Sequence, residues 1–69
     1  MVRFILTFDI PRELLRERKR INRDLHRMKA EKFQHSLWKS NDLQSLIEIA
    51  LFINKNGGNA SILEEKFIF

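Results

Sequence analysis

The chain has 69 residues, with 13 Lys and Arg against 9 Asp and Glu and no cysteine. A chain this short buries only about 60% of the surface that its unfolded form exposes, so residues 1–69 form one domain of marginal stability. Without cysteine, disulfides and thiolate metal sites are excluded as stabilising devices, and self-association remains, so we expect a homodimer.

Two apolar stretches bear on where the chain resides. Residues 4–8 are apolar, but Arg3 and Asp9 bracket them and no cleavage site of small residues follows, which argues against a signal peptide. Residues 46–53 fall far short of the roughly 20 residues that cross a bilayer. The sequence predicts a soluble, cytoplasmic protein with no membrane partner.

The first predicted element is a strand over residues 2–10. Apolar side chains recur at every second position, which is typical of a strand with one buried face. The buried set is Val2, Phe4, Leu6, Phe8 and Ile10. Asp9 has the opposite parity, so we expect its carboxylate to point away from the core.

A helix is predicted from Pro11 to Lys29, with proline at its first position. At 100° per residue its apolar arc contains Leu14, Ile21, Leu25 and Met28, and the opposite side contains Arg16, Arg20, Arg23 and Arg27. Arg18 interrupts the apolar arc. Either its guanidinium extends past the core into solvent, or this turn of the helix faces a ligand that needs a cation.

Residues 32–40 are predicted to form one further strand. By the alternation of the first strand, Phe33 and Leu37 would point inward. The remaining side chains, Gln34, Ser36 and Trp38, would share the open face of the sheet with Asp9.

The C-terminal part predicts a helix and a last strand. The helix begins at a capping box over residues 41–44 and ends at residues 56–58, where glycine supplies the left-handed residue. Residues 59–69 read as a strand whose apolar end, residues 67–69, pairs with a neighbouring chain or a sheet edge. The order strand-helix-strand-helix-strand predicts an α+β, ferredoxin-like sandwich with both helices on one face of the sheet.

The positive charge is concentrated on one segment. Residues 11–39 hold ten of the thirteen cations against four acids, a net charge of +6. Such a concentration indicates a polyanionic partner, and a row of guanidinium groups suits phosphate backbones. The alternative is a solvated helix face whose arginines pair with nearby acids such as Glu17 and Asp24.

Asp9 is the candidate metal ligand. A carboxylate at the end of a rigid strand suits Mg²⁺, and two copies brought together by a two-fold axis would provide a pair. The alternative is that Asp9 only stabilises the start of the following helix, because the helix dipole favours a negative charge near the N-terminus.

Three segments resemble the Cas-two family of CRISPR-associated proteins, whose fold is shared with the C-terminal domain of phenylacetate-catabolism repressors. They are Phe8-Asp9-Ile10-Pro11, Leu15-Arg16-Glu17-Arg18 and Phe33-Gln34-His35-Ser36-Leu37-Trp38. The resemblance implies that Asp9 is the metal residue and that Arg16 and Arg18 belong to the same functional set. It further places a basic residue at Lys32 and motif residues at Ser36 and Trp38.

The resemblance also implies a homodimer with facing aspartates and a C-terminal strand that completes the partner's sheet. Members have been described as endonucleases on RNA or duplex DNA that depend on Mg²⁺ or Mn²⁺, and as non-catalytic bridges in the CRISPR integrase complex that inserts spacers. Two hypotheses therefore stay open for this chain. One is a metal-dependent endonuclease, and the other is a nucleic-acid-binding or dimerisation scaffold.

Overall fold

A computed structural model describes residues 3–34 and 36–66 as four strands and two helices. In chain order these are β1 (Phe4–Asp9), α1 (Leu15–Arg27), β2 (Glu31–Gln34), β3 (Leu37–Ser40), α2 (Leu43–Lys55) and β4 (Asn59–Glu64). The strands form one antiparallel sheet in the order β2-β3-β1-β4.

The core lies between one face of the sheet and both helices. Leu6 on β1 is paired with Trp38 on β3 and with Ile62 on β4, which places these three side chains on the same face. The helices contribute the other buried apolar residues, which are Ile21 and Leu25 on α1 and Leu46, Ile49, Ala50 and Ile53 on α2. The predicted ferredoxin-like α+β sandwich is thus confirmed.

The alternation predicted for the first strand is confirmed within the described residues. Leu6 is fully buried, and Phe4, Phe8 and Ile10 pack against the core. Asp9 is exposed at the end of β1. The strand therefore presents its acid away from the helices, as the pattern of apolar residues predicts.

The prediction of one strand over residues 32–40 is wrong, because this stretch is a hairpin of β2 and β3. Gln34 pairs with Leu37 across a tight turn, and the register shifts between Lys32 and Gln34. The turn reverses the chain and resets the alternation, so Trp38 is 1% exposed and Phe33 is 51% exposed. The predictions that Phe33 and Leu37 point inward and that Trp38 points outward are therefore wrong, since Leu37 pairs with Thr7 on the side of the sheet opposite to Leu6.

The first helix is shorter than its periodicity predicts. α1 begins at Leu15, because residues 11–14 form a turn in which the Leu14 N–H donates to the Pro11 carbonyl over 3.1 Å. That turn carries the chain from the end of β1 to the helix layer, so proline precedes the helix by four residues. At the other end α1 stops at Arg27, and Lys29 adopts a left-handed backbone with φ of 60°. The predicted burial of Ile21 and Leu25 is confirmed.

The cap of the second helix is one residue later than predicted. Asp42 is the N-cap, and its carboxylate accepts from the Ser45 N–H over 3.1 Å and from the Ser45 hydroxyl over 2.7 Å. These hydrogen bonds lower the pKa of Asp42, the hydroxyl contributing most. The predicted glycine end is confirmed, since Gly57 follows the helix with φ of 94°.

Two features of the chain ends complete the description. β4 ends at Glu64, and the next residue donates its N–H to the Arg3 carbonyl over 2.8 Å. The predicted pairing of residues 67–69 lies outside the described residues, as do Val2 and His35. Within the described ranges, neither helix is long and apolar enough to cross a bilayer.

Candidate nucleic-acid interface and metal site

Asp9 is held at the end of a central strand. It pairs with Asn59 of β4, and the preceding Phe8 N–H donates to the Ser36 carbonyl over 3.1 Å. The Asp9 side chain is exposed, and within residues 3–34 and 36–66 it makes no hydrogen bond or ion pair. A rigid strand therefore presents a free carboxylate, a hard oxygen ligand suited to Mg²⁺.

The face of the sheet on which Asp9 lies is covered by no described element, and we call it the uncovered face. Its centre is apolar. Ile5 and Leu37 are half-buried, Leu63 pairs with Ile5 and is 55% exposed, and Phe33 stands at the β2 edge. Exposed apolar side chains grouped in this way mark surfaces that associate with another molecule.

Two ion pairs lie among these apolar side chains, since Lys39 pairs with Ile5 across β1 and β3. The Arg3 Nη2 atom lies 2.6 Å from the Glu31 Oε2 atom, and Lys39 pairs with Glu65. The Lys39 ammonium also stands 3.9 Å from the centroid of the Phe33 ring. A hydrogen bond from Lys39 lowers the pKa of Glu65, and one to Glu31 raises the pKa of Arg3. Pairing compensates these four charges, whereas the Asp9 carboxylate on the same face has no ion-pair partner within residues 3–34 and 36–66.

The predicted arginine row lies on the opposite side of the molecule, along α1. Its four members, Arg16, Arg20, Arg23 and Arg27, are all exposed. The Arg20 Nε atom lies 3.9 Å from the Asp24 Oδ2 atom, and the Arg20 Cζ atom lies 4.3 Å from the centroid of the Phe52 ring. The other three make no ion pair within the described part of the chain. Direct ion pairing within the described residues therefore involves only Arg20 of this row.

A groove of about 760 Å³ separates α1 from α2, and we call it the inter-helix groove. Its α1 wall carries three cations of the row, Arg20, Arg23 and Arg27, together with Asp24. The α2 wall adds Asp42 and Glu48. Three cations and three acids therefore line this groove, so its charge is balanced.

The other flank of α1 borders a groove of about 300 Å³, which we call the outer groove. Arg18 lines it, together with Lys19 and Asn22 from the same helix and Lys32 from β2. Arg18 thus interrupts the apolar arc because it lies on the rim of this groove, exposed to solvent. Lys19 and Asn22 are not among the residues predicted from the sequence, although Asn22 follows Arg18 by one helical turn and the helical periodicity places it on the same flank.

The motif residues of the hairpin lie in two different environments. Ser36 is an exposed turn residue whose carbonyl anchors β1. Trp38 is in the core, with the His26 ring edge-on to it at 5.3 Å between centroids. The prediction that Trp38 shares the open face with Asp9 is therefore wrong. Trp38 supports the sheet from the helix side.

Within one chain, the structure separates the predicted metal ligand from the predicted phosphate ligands. Asp9 lies on the uncovered face, whereas α1, which carries Arg16 and Arg18, covers the other face of the sheet. No group of three or more potential metal-ligating side chains occurs among the described residues. One carboxylate per chain is compatible with Mg²⁺ because this ion is commonly held by one or two carboxylates, substrate phosphates and water.

No protein-family model matches this chain, and no curated protein matches it either. The functional interpretation of these surfaces therefore depends on their charge, burial and geometry.

Proposed function

We propose that this chain is a cytoplasmic, homodimeric nucleic-acid-binding protein that resembles the Cas-two family. The observation that carries the proposal is the division of charge between the two sides of the sheet. One side presents a helix with a row of exposed arginines, and the other presents apolar side chains, two ion pairs and the carboxylate of Asp9. The two surfaces suit different partners, a polyanion on the first and a protein on the second.

The arginine row supports nucleic acid as the polyanion. Arg16, Arg23 and Arg27 project along one side of a rigid helix and have no acidic partner within residues 3–34 and 36–66. Guanidinium groups bind phosphate oxygens bidentately and release counterions from the backbone. Such contacts hold a nucleic acid in place without selecting its sequence, so both RNA and DNA are candidate ligands.

The uncovered face supports a second copy as the protein partner. A chain of 69 residues with no cysteine has a small core and no disulfide to stabilise it. Large apolar side chains such as Phe33 and Leu63, which are exposed in the single chain, would add to its stability if a partner buried them. In a two-fold dimer the same face meets itself, so the apolar side chains of the two copies would pack together. The proposal therefore assigns this face to a homodimer.

The binding half of the proposal is tested by charge reversal on the row. We expect Arg23→Glu together with Arg27→Glu to weaken binding to a labelled duplex or single strand. The logarithmic salt dependence should also become shallower, by roughly 0.7 to 0.9 for each phosphate that the protein no longer neutralises. Fluorescence anisotropy across a salt series measures both effects.

A matched control is Lys55→Glu, which reverses an exposed cation at the end of α2. It should leave affinity and salt dependence close to those of the unaltered chain. Equal losses in the control and the double variant would show attraction by net charge alone. Unchanged binding in the double variant would remove the arginine row from the interface.

A second candidate function is Mg²⁺-dependent endonuclease activity, favoured by the free carboxylate of Asp9 on the face assigned to the dimer. A two-fold axis near the end of β1 would bring two Asp9 side chains together. Two carboxylates could then hold Mg²⁺ or Mn²⁺, which supplies charge stabilisation at a scissile phosphodiester and an activated water. Without that activity, the same dimer is a binding scaffold of the kind that bridges a larger complex.

The variant Asp9→Asn distinguishes the endonuclease function from the scaffold function. If the chain is an endonuclease, this variant should lose metal-dependent cleavage of a labelled RNA or duplex DNA while its affinity and oligomeric state persist. Glu13→Gln, which removes an exposed acid from the turn after β1, should retain cleavage. Undiminished cleavage by Asp9→Asn would identify a contaminating nuclease. Binding without cleavage by the unaltered chain would leave the scaffold function.

A further inference from the structure

The outer groove differs in charge from the inter-helix groove on the other flank of α1. Three cations line it, Arg18, Lys19 and Lys32, and no acid is among its lining residues. Within the described part of the chain, none of the three forms an ion pair with a carboxylate. The two grooves share one helix, and the outer one alone has an uncompensated positive rim.

The floor of the outer groove is apolar. Phe8 and Ile10 are half-buried there, and the fully buried Leu25 and Trp38 lie beneath them. The Lys32 ammonium stands 5.7 Å from the centroid of the Trp38 ring, which places a cation above the edge of this floor. A ligand for the groove therefore needs both an apolar or aromatic body and an anionic group.

The size of the groove restricts that ligand further. A volume of about 300 Å³ is at the lower end of the range for small-molecule sites, which suits one nucleotide unit. Asn22 on the rim adds an amide, which both donates and accepts hydrogen bonds and can pair with the edge of a base. Unpaired bases are recognised by this combination of an apolar platform, edge-directed polar groups and cations for the phosphate.

We propose that the outer groove binds a single unpaired nucleotide, with its base against Phe8 and Ile10 and its phosphate between Lys19 and Lys32. The unit is a nucleoside monophosphate, either free or at the unpaired end of a bound strand. In the second form the inference rests on the proposed nucleic-acid function. In the first form it stands independently.

The test uses the indole N–H signal of Trp38, the chain's only tryptophan, which lies beneath the groove. The full chain is titrated with adenosine monophosphate while this signal is followed by NMR. We expect the signal to move and saturate. We expect Lys32→Ala and Lys19→Ala each to weaken binding about tenfold, which is a loss of about 1.4 kcal/mol, because each variant removes a cation from the phosphate. Lys55→Ala, at the far end of α2, should bind like the unaltered chain.

A second experiment tests whether the groove binds a nucleotide at the unpaired end of a strand. Two labelled duplexes of equal length are compared, one blunt and one with an unpaired three-nucleotide end. Tighter binding of the second duplex, abolished in Lys32→Ala, supports recognition of a strand end even where the free nucleotide does not bind. If neither duplex binds but adenosine monophosphate still shifts the Trp38 signal, the proposed nucleic-acid function is wrong and the nucleotide site stands.

Three results would overturn the inference. The first is an equal shift by inorganic phosphate at the same concentration, which would show that the groove accepts any anion. The second is an equal loss of nucleotide affinity in Lys55→Ala and Lys32→Ala, which would show attraction by net charge. The third is an unmoved Trp38 signal together with equal affinity for the two duplexes.

Discussion

The two faces of the sheet differ in the burial of their aromatic residues and in the pairing of their cations. On the covered face, the aromatic Trp38 is buried under α1 and the cations lie beyond it on the outer surface of that helix. On the uncovered face, the aromatic Phe33 is exposed and Lys39 is paired with an acid. The comparison shows that burial of apolar area stabilises one face within the chain, whereas the other face leaves apolar side chains such as Phe33 and Leu63 exposed.

Truncating one aromatic residue on each face should have the largest effect on this comparison. Trp38→Ala removes a fully buried ring and should lower the free energy of unfolding by about 3 to 5 kcal/mol. Phe33→Ala should cost the monomer about 1 kcal/mol or less, since its exposed ring contributes mainly a contact with Lys39. Urea denaturation at low protein concentration measures both.

Trp38→Phe serves where the alanine variant does not fold, and it should lose less stability than Trp38→Ala. Similar losses for Trp38→Ala and Phe33→Ala would contradict the hairpin register that places these two rings on opposite faces.

A smaller effect is expected where the end of α2 passes beneath β1. A Cβ atom at Gly58 would stand 2.7 Å from the Asp9 carbonyl oxygen and 2.7 Å from the Ile53 Cγ2 atom. Gly58→Ala should therefore force the end of β1 away from α2 and cost about 1 to 3 kcal/mol. Thermal unfolding measures the loss, and Ser61→Ala on the uncovered face is the control, within about 0.5 kcal/mol of the unaltered chain. Equal stability of the two variants would show that the close approach is absent.

The smallest expected effect is on acid stability and concerns one carboxylate beside each face. Hydrogen bonds lower the pKa of Asp42 at the start of α2 and of Glu65 beside Lys39. Because the pKa is lowered in the folded chain, each hydrogen bond contributes its full stabilisation at a pH above the ordinary pKa of the carboxyl group, which is about 3.9 for Asp and about 4.3 for Glu. It is lost as the pH falls through the folded value.

Acid unfolding curves of Asp42→Asn and Glu65→Gln measure these contributions. Each variant should lose stability less steeply below about pH 4 than the unaltered chain, because one carboxylate no longer binds a proton on unfolding. Unchanged steepness in both variants would show that neither hydrogen bond persists in solution.

The sequence is sufficient to predict the architecture wherever a period is long and unbroken. Leu6 on β1 and Ile21 and Leu25 on α1 are buried as their spacing predicts, and the arginine row is exposed. Periodicity fails at the hairpin, because the sequence between Gln34 and Leu37 contains no glycine or proline that would indicate a turn. The extension of one alternation through residues 35 and 36 then inverts Trp38 and Phe33.

The candidate site is predictable only in part for a related reason. Sequence periodicity assigns a side chain to a face of its own element, so it places Asp9 and the arginines correctly. It does not show which elements face one another, and the outer groove combines residues of α1 with Lys32 of β2. Lys19 and Asn22 become candidates only when the hairpin is placed beside the helix.

The assignment of the uncovered face to a second copy is tested most directly by sedimentation equilibrium. The account predicts a species of twice the 8.3 kDa chain mass for the unaltered protein and for Leu51→Asp, which alters a leucine 63% exposed on α2. It predicts a monomer for Leu63→Asp, which places a charge at the apolar centre of the uncovered face. A single chain mass for the unaltered protein at high concentration, or an undisturbed dimer in Leu63→Asp, would contradict it.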